Sequence, residues 1–261
     1  MQEPNKTPKR IFNLDIKRLE PKELNYGDIK IKAVKLPLLV DLRPKMPDVY
    51  NQGNLGSCTA QAFCAAYQYI KLPIQWSCLF LYYNTRQIEG TVPYDRGATL
   101  YGTVKSITEY GVCPESNWSY IIKNFRVKPS ALCYKIALTH RAVSCYNVPS
   151  DLNSMKSYLS SGFPLVIGIA VYSDFVSNAV AKTGLVPLPS KQSTFLGGHA
   201  VLVCGYDDSK QLWTVRNSWG SSWGDKGYFY LPYAYLTKKS LCSDIWCMTK
   251  TTDNMKHKNS K

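Results

Sequence analysis

The sequence predicts an α+β protein, with helices first along the chain and strands later. Residues 41 to about 145 carry mainly helical patterns, whereas short strand-like apolar runs predominate from about Val148 onward. Segregation of the two element types along a chain favours an α+β architecture. With 261 residues, 45% of them hydrophobic, the chain is long enough to bury a core, either as one bilobed unit or as two small domains.

Four segments are predicted to be helical. The third is ended by Gly111, and the fourth has Asp151 near its start and Gly162 as its stop, which are typical boundary signals. In chain order the predicted helices are Cys58 to about Lys71, Gln75–Glu89, Thr99–Tyr110 and Asp151–Ser161.

Four later runs are predicted to be strands, because they are short, apolar and separated by turn residues. In chain order they are Leu165–Val171, His199–Tyr206, Leu212–Asn217 and Gly227–Leu231. No internal repeat is apparent in the chain.

A glycine-rich turn delivers Cys58 to the first turn of the first predicted helix. Gly53 and Gly56 carry no side chain where a substrate backbone would have to approach the thiol. The positive end of the helix dipole and the unsatisfied N–H groups there both favour a thiolate. Gln52, six residues before the thiol, offers a side-chain amide to a developing oxyanion. A lone cysteine on an apolar helix is usually a small buried hydrophobe, so this interpretation depends on partners elsewhere in the chain.

Those partners occur far downstream. His199 opens an apolar, strand-like run, and Asn217 ends the next such run. His199 follows Cys58 by 141 residues and precedes Asn217 by 18. In papain and the cathepsins the histidine follows the nucleophile by about 130–150 residues, and the asparagine lies further along the chain. The order and the spacing together indicate a Cys–His–Asn constellation.

On these motifs the chain resembles the papain-like cysteine peptidases, including members without a signal peptide and with short prosegments from some bacteria and large DNA viruses. The block from Asn217 to Tyr228, NSWGSSWGDKGY, is similar to the asparagine block of that family at nearly every position. The resemblance extends from about Asp41 to about Trp246. It implies a helical left lobe and a β-barrel right lobe, with the active site in the cleft between them.

The resemblance also implies a role for each catalytic residue. Cys58 would be the nucleophile, and His199 would take its proton and later protonate the leaving amine. Asn217 would fix the tautomer and orientation of the imidazole, and Trp219 would shield that hydrogen bond from water. Gln52, with the backbone N–H of Cys58, would form the oxyanion hole.

Further residues are expected to contact substrate in the cleft. Gly97 resembles the glycine whose backbone pairs with extended substrate, and Gly198 and Ala200 would line the pocket for the second side chain before the scissile bond, with Trp219 nearby. Family members often carry an acidic residue where this chain has Gly198. We therefore expect a roomy, uncharged wall that favours apolar or aromatic side chains.

The chain is expected to divide into three parts. Residues 1–39 form a basic, proline-punctuated extension, interpreted as a short inhibitory prosegment, with a disordered or strap-like tail as the alternative. Residues 40–247 form the peptidase domain, its left lobe covering about 40–145 and its right lobe about 146–247. Residues 248–261 form a basic tail.

Charge and motif content limit the partners. The net charge of +14 is concentrated near the two ends of the chain, and no nucleic-acid-binding signature accompanies it. Peptide or protein substrates are the expected partners. No run is long and apolar enough to span a membrane, no cysteine or histidine cluster has zinc spacing, and no cofactor is expected.

The cysteines and the N-terminus bear on the compartment. Secreted family members carry a disulfide that begins three residues before the nucleophile, where this chain has Leu55, and its partner region reads Tyr94 to Gly97 here. No signal peptide is visible. We therefore expect a cytoplasmic or intracellular protein with reduced cysteines, in a virion or host cell if the source is viral.

The leading interpretation is a cysteine endopeptidase that hydrolyses peptide bonds through an acyl-thioester on Cys58. One alternative is an acyl-transferase on the same scaffold, such as a transglutaminase, although those relatives normally use Asp as the third residue. Another is a catalytically silent binding protein with a vestigial cleft. The chain retains both Cys58 and His199, which pseudoenzymes usually lose.

Overall fold

A computed structural model of the chain describes residues 10–14 and 35–252. Within these ranges helices predominate before residue 140, and strands of one antiparallel sheet predominate after it. The α+β prediction is therefore confirmed. The expected tail after residue 252 and most of the N-terminal extension lie outside the described residues.

Five of the seven α-helices in the described ranges begin where a polar side chain caps them. The side chains of Ser77, Thr99, Ser130, Asp151 and Ser177 each accept a hydrogen bond from a backbone N–H in the first turn of the following helix. The helices are α1 Cys58–Ile70, α2 Cys78–Ile88, α3 Leu100–Glu109, α4 Ala131–Ala137, α5 Leu152–Ser160, α6 Asn178–Thr183 and α7 Tyr233–Thr237.

Seven strands form the sheet, in the order β2-β7-β3-β4-β5-β6, with β1 pairing onto β4. The strands are β1 Leu39–Asp41, β2 Ala142–Asn147, β3 Leu165–Tyr172, β4 Phe195–Asp207, β5 Leu212–Arg216, β6 Tyr228–Pro232 and β7 Cys242–Thr251. Among the described strands, the end members β2 and β6 do not pair with each other. The expected β-barrel is therefore an unclosed sheet, because the hydrogen-bonded ladder that would join its two ends is missing.

Strand β4 separates two hydrophobic cores. Ala200 and Leu202 belong to the core that contains α1, whereas Val201 and Val203 belong to the core under the rest of the sheet. Alternate residues of a strand point to opposite faces, so both faces of β4 are buried. Helix α1 packs directly on β4, and this contact joins the two lobes.

The predicted elements are confirmed with boundaries that differ by a few residues. Helix α2 starts at Cys78 rather than Gln75, because Ser77 caps it. Strand β4 starts at Phe195, four residues before the predicted His199. Among the described residues, sequence reasoning missed three of seven α-helices, α4, α6 and α7, and three strands, β1, β2 and β7. Most of these elements are short.

Candidate active site

The thiol of Cys58 lies at the N-terminus of α1, at the junction of the two lobes. Cys58 is 1% exposed and is the first residue of the helix, so its backbone N–H has no partner within the helix. The preceding turn contains Gly53, whose φ of 60° lies in the left-handed region that favours glycine. Backbone N–H groups of Ala200 and Thr59 approach the sulfur.

His199 and Asn217 meet across two neighbouring strands. His199 lies within β4, and Asn217 directly follows β5, which pairs with β4. Nε2 of His199 is 2.9 Å from Oδ1 of Asn217, and both residues are buried. Because the amide oxygen accepts, Nε2 carries the proton in the neutral ring, and Nδ1 presents its lone pair. Nδ1 has no hydrogen-bond partner among the described residues, so it is available as a base.

Trp219 covers the His199–Asn217 pair. Its ring stacks on the imidazole with centroids 5.1 Å apart and planes 25° apart. Trp219 also packs edge-on against Phe175 and Trp223, which holds it in place. The shielding role expected for Trp219 stays a prediction from the sequence.

Gln52 is held on both sides beside the thiol. Its Oε1 accepts a hydrogen bond from the hydroxyl of Ser218 at 2.6 Å, and its Nε2 donates to the carbonyl of Leu55 at 2.9 Å. The backbone N–H of Gln52 also donates to the carbonyl of Ser218. An amide NH₂ group has two hydrogens, so one hydrogen of Nε2 remains for an oxyanion.

Burial keeps both reacting groups neutral in this structure. It raises the pKa of Cys58 to about 11. Backbone hydrogen bonds from Ala200, Thr59 and Cys58 itself lower this pKa, whereas the negative charge of Asp95 raises it further. Burial lowers the pKa of His199 to about 4; the hydrogen bond of Asn217 raises it, and the charge of Arg10 lowers it. No hydrogen bond joins the thiol of Cys58 to His199, although both residues are described.

Residues 10–14 of the chain lie in the cleft. Arg10 lies over the Trp219 ring, 4.7 Å from its centroid, and Phe12 is edge-on to both Trp219 and His199. Asn13 forms a parallel β-bridge with Gly198. Leu14, 5% exposed, enters the core that contains α1. A segment of this chain therefore covers the predicted active site.

The residues expected to contact substrate lie next to residues 10–14 or next to the Cys58 sulfur. The carbonyl of Gly198 accepts a hydrogen bond from the backbone N–H of Leu14 at 3.1 Å. A Cβ at Gly97 would lie 1.8 Å from the carbonyl oxygen of Asn13, so the backbone of the segment packs directly on this glycine. Ala200 contributes a backbone N–H near the Cys58 sulfur.

Sequence reasoning missed two kinds of residue here. It placed a prosegment in residues 1–39 but did not single out Phe12, Asn13 and Leu14. The apolar pair Phe12 and Leu14 within a basic stretch was the available signal. It also missed Ser218, which orients Gln52, because hydrogen bonding across 166 residues of chain leaves no local pattern.

The described residues also bear on the other predictions. All nine cysteines lie among them; they are buried, and none forms a disulfide within the described residues. No helix in the described part of the chain has the length and apolar character needed to cross a membrane. Within the same ranges, no group of three or more His, Cys, Asp or Glu side chains is arranged to hold a metal ion.

Comparisons with known proteins give the family. Residues 95–243 match the family model described as papain family cysteine protease; this range contains His199 and Asn217 but starts after Cys58 and Gln52. An uncharacterized peptidase C1-like protein of Acanthamoeba polyphaga mimivirus is 37% identical over 242 residues, which cover 85% of this chain and 78% of that protein. The chain belongs to the papain family of cysteine proteases.

Solved structures agree with this assignment. Xylellain, a cysteine protease from Xylella fastidiosa, superimposes with a TM-score of 0.85 at 36% identity, covering 92% of this chain and 96% of that chain. The proform of a cathepsin B from Trypanosoma congolense superimposes with a TM-score of 0.69 at 20% identity, over 89% of this chain and 85% of that chain, and shares the fold. The papain-like fold expected from the sequence is confirmed.

Proposed function

We propose that this chain is a cysteine endopeptidase that hydrolyses peptide bonds of protein substrates and is made as a zymogen. The observation that carries the proposal is the His199–Asn217 pair. Its geometry leaves the Nδ1 lone pair free in a buried site at the lobe junction, where α1 begins with Cys58.

The proposed reaction begins with transfer of the Cys58 proton to Nδ1 of His199. The thiolate attacks the scissile carbonyl carbon, and the oxyanion accepts hydrogen bonds from the backbone N–H of Cys58 and from Nε2 of Gln52. The C–N bond then breaks, and the imidazolium gives its proton to the leaving amine. Water, deprotonated by His199, attacks the resulting thioester and releases the acid and the thiol.

The pocket that holds Leu14 supports an apolar preference in the substrate. A Cβ at Gly168 would lie 2.8 Å from Cδ2 of Leu14, so the absence of a side chain there makes room for the leucine. Leu100 also borders the pocket. An uncharged side chain of leucine size is therefore the expected occupant in a substrate, on the acyl side of the scissile bond.

The direction of residues 10–14 supports an inhibitory role. From the family resemblance we expect substrate residues before the scissile bond to lie at Gly97 and Gly198 and the leaving group to lie towards Trp219. Residues 10–14 run the opposite way, from Trp219 at Arg10 to the apolar pocket at Leu14. A backbone in this reversed direction occupies the cleft but does not present a peptide bond correctly to the thiol.

By covering the cleft, residues 10–14 also disfavour the ion pair between the Cys58 thiolate and the His199 imidazolium. Burial disfavours both the thiolate and the imidazolium, and Arg10 adds a positive charge near His199. When the segment leaves, the pKa of His199 is expected to rise and that of Cys58 to fall. Removal of residues 10–14 thus activates the site both sterically and electrostatically.

The state of the cysteines supports an intracellular site of action. Nine buried cysteines that form no disulfide within the described residues are typical of a reducing compartment, whereas secreted proteins of this family use disulfides. The viral relative is in line with action inside an infected cell.

The experiment that tests the function combines peptide hydrolysis with labelling by a peptidyl epoxide, in reductant. Wild type is expected to hydrolyse a fluorogenic peptide and to carry one label, on Cys58, and Cys58→Ala is expected to lose both. Cys64→Ala, which alters a fully buried thiol in the same helix, is the matched control and should keep both.

Deletion of residues 1–34 in parallel separates a zymogen from an inactive protein. The deletion ends there because Pro37 and Leu38 accept hydrogen bonds from Tyr206 and Asp208. Hydrolysis that rises after deletion, from whatever level wild type shows, supports the zymogen. Hydrolysis that persists in Cys58→Ala, or the absence of label and hydrolysis in every form, would contradict the proposed function and favour a binding protein.

A further inference from the structure

Residues 91–97 form a loop beside the Cys58 thiol. The side chain of Asp95 connects this loop to the rest of the left lobe. Both carboxylate oxygens of Asp95 lie 3.1 Å from the backbone N–H of Gly56, two residues before Cys58. The hydroxyl of Tyr82, on α2, donates to Oδ1 of the same carboxylate at 2.5 Å. The carboxylate therefore ties together the turn before the nucleophile, α2 and its own loop.

Arg86 fixes the other side of this loop. Its Nη1 donates to the carbonyl of Val92 at 2.7 Å and to that of Tyr94 at 3.4 Å, and its guanidinium lies over the Tyr82 ring. Arg86 is fully buried. The loop is thus anchored before Asp95 by a buried cation and at Asp95 by two donors.

These contacts bracket the site. Gly56 leads into the helix start that supplies the thiol and the oxyanion N–H, and Gly97, two residues after Asp95, is the glycine on which the backbone of Asn13 packs. We propose that Asp95 is a positioning residue, which clamps the turn before Cys58 to the loop that carries Gly97 and so sets the width of the cleft floor.

The clamp stands where a covalent bridge is missing. Secreted members of the family carry a disulfide at the position of Leu55, with its partner in the Tyr94 region, and this chain has no cysteine at either place. Gly56 and Asp95 lie one residue further along each segment. Hydrogen bonds to a carboxylate are stronger than those between neutral groups, so a reducing compartment does not weaken this connection as it would a disulfide.

The carboxylate also acts on the thiol through its charge. Its negative charge adds to the effect of burial in raising the pKa of Cys58. The other ionisable groups that interact with Asp95 are Tyr82, Arg86 and Tyr120. Geometry and charge can be separated, because Asp95→Asn keeps an accepting oxygen without the charge, whereas Asp95→Ala removes both.

The first test is amide hydrogen exchange of Gly56 by NMR on the full-length chain, which needs no enzymatic activity. Loss of the acceptor in Asp95→Ala should accelerate exchange at Gly56 by about tenfold or more, as expected for one lost hydrogen bond. Asp95→Asn should stay within about threefold of wild type because one oxygen still accepts. Asp151→Ala, which removes the cap of α5 in the right lobe, is the matched control and should leave Gly56 unchanged.

The second test measures kcat/KM and its pH profile, and this arm rests on the proposed function. The full-length chain carries Leu14→Asp, which opens the cleft by placing a carboxylate in the apolar pocket. Asp95→Ala should lower kcat/KM by about 10- to 100-fold, since small misplacements of reacting groups cost up to about 100-fold. Asp95→Asn should retain most of the wild-type kcat/KM. It should also move the acid limb of the kcat/KM–pH profile, which reports the ionisation of Cys58, to lower pH. A merely structural role would not move that limb.

The outcomes separate the two proposals. Unchanged Gly56 exchange in Asp95→Ala, or faster exchange with unchanged kcat/KM, would overturn the positioning role. If no form hydrolyses peptide while Asp95→Ala still accelerates exchange at Gly56, the clamp is supported and the proposed peptidase function fails.

Discussion

Replacing Leu14 by Asp is expected to convert the covered cleft into an open one. Leu14 is 5% exposed in a pocket formed with Gly168 and Leu100. Moving a leucine side chain from such a pocket into water costs about 1.5–3 kcal/mol. A carboxylate left in the pocket would cost several kcal/mol more, so the variant segment is expected to leave.

The roughly 1.5–3 kcal/mol of lost leucine burial sets a lower limit on how far the substitution shifts the cleft towards its open form. Because about 1.4 kcal/mol corresponds to a factor of ten, the equilibrium between covered and open cleft should shift by about 10- to 150-fold. If the open form of wild type is a small minority, kcat/KM for a short fluorogenic peptide should rise by up to the same factor. Because the segment occupies the place of the substrate, the apparent KM should fall by about this factor while kcat stays nearly unchanged.

The matched control is Leu38→Asp. Leu38 also lies in the N-terminal part of the chain, but its side chain is 75% exposed. The same change in composition and charge should therefore leave kcat/KM within about twofold of wild type. Equal kcat/KM in Leu14→Asp and wild type, with both chains folded and labelled at Cys58, would refute the idea that residues 10–14 restrain the site.

Two further predictions concern the His199–Asn217 pair. Asn217→Ala should lower kcat/KM by about tenfold or more, because one hydrogen bond of about 1.4 kcal/mol that fixes the tautomer is lost; an unchanged value would mean that other contacts orient the ring. The buried His199 has a folded-state pKa of about 4, below its ordinary value of 6.5, so the unfolded chain binds an extra proton between these pH values. The free energy of unfolding should therefore fall as pH drops from about 7 to 4, by about 3 kcal/mol from this group. Urea unfolding of His199→Gln should show a smaller decrease over that window, and an identical decrease would exclude His199 as its source.

The helices and strands that lie next to the site were predictable because their patterns are local. The N-terminal glycine turn and apolar content of α1, and the apolar runs of β3 and β4, are visible within ten or so residues. Strands β2 and β7 were missed although they pair with each other, because their stability comes from that pairing across about 100 residues rather than from a pattern in either one.

Whether the sheet closes into a barrel is likewise not predictable from local sequence patterns. The resemblance implied a barrel, but the sheet's described ends, β2 and β6, stay apart. Closure depends on tilt and register across every strand pair, including the register shifts in β3–β7 and β4–β5. Such shifts have no signature in the sequence.

The sequence by itself predicted the candidate residues at the site and their order. Cys58, His199, Asn217 and Gln52 were predicted from residue type, from spacing along the chain and from the resemblance to papain-like peptidases. The tertiary structure alone decided which groups hold them: Ser218 on Gln52, Asp95 on Gly56, and Leu14 in the apolar pocket. These contacts join residues far apart in the chain, and a hydrogen bond or packed side chain at such a distance depends on the folded geometry rather than on any local pattern.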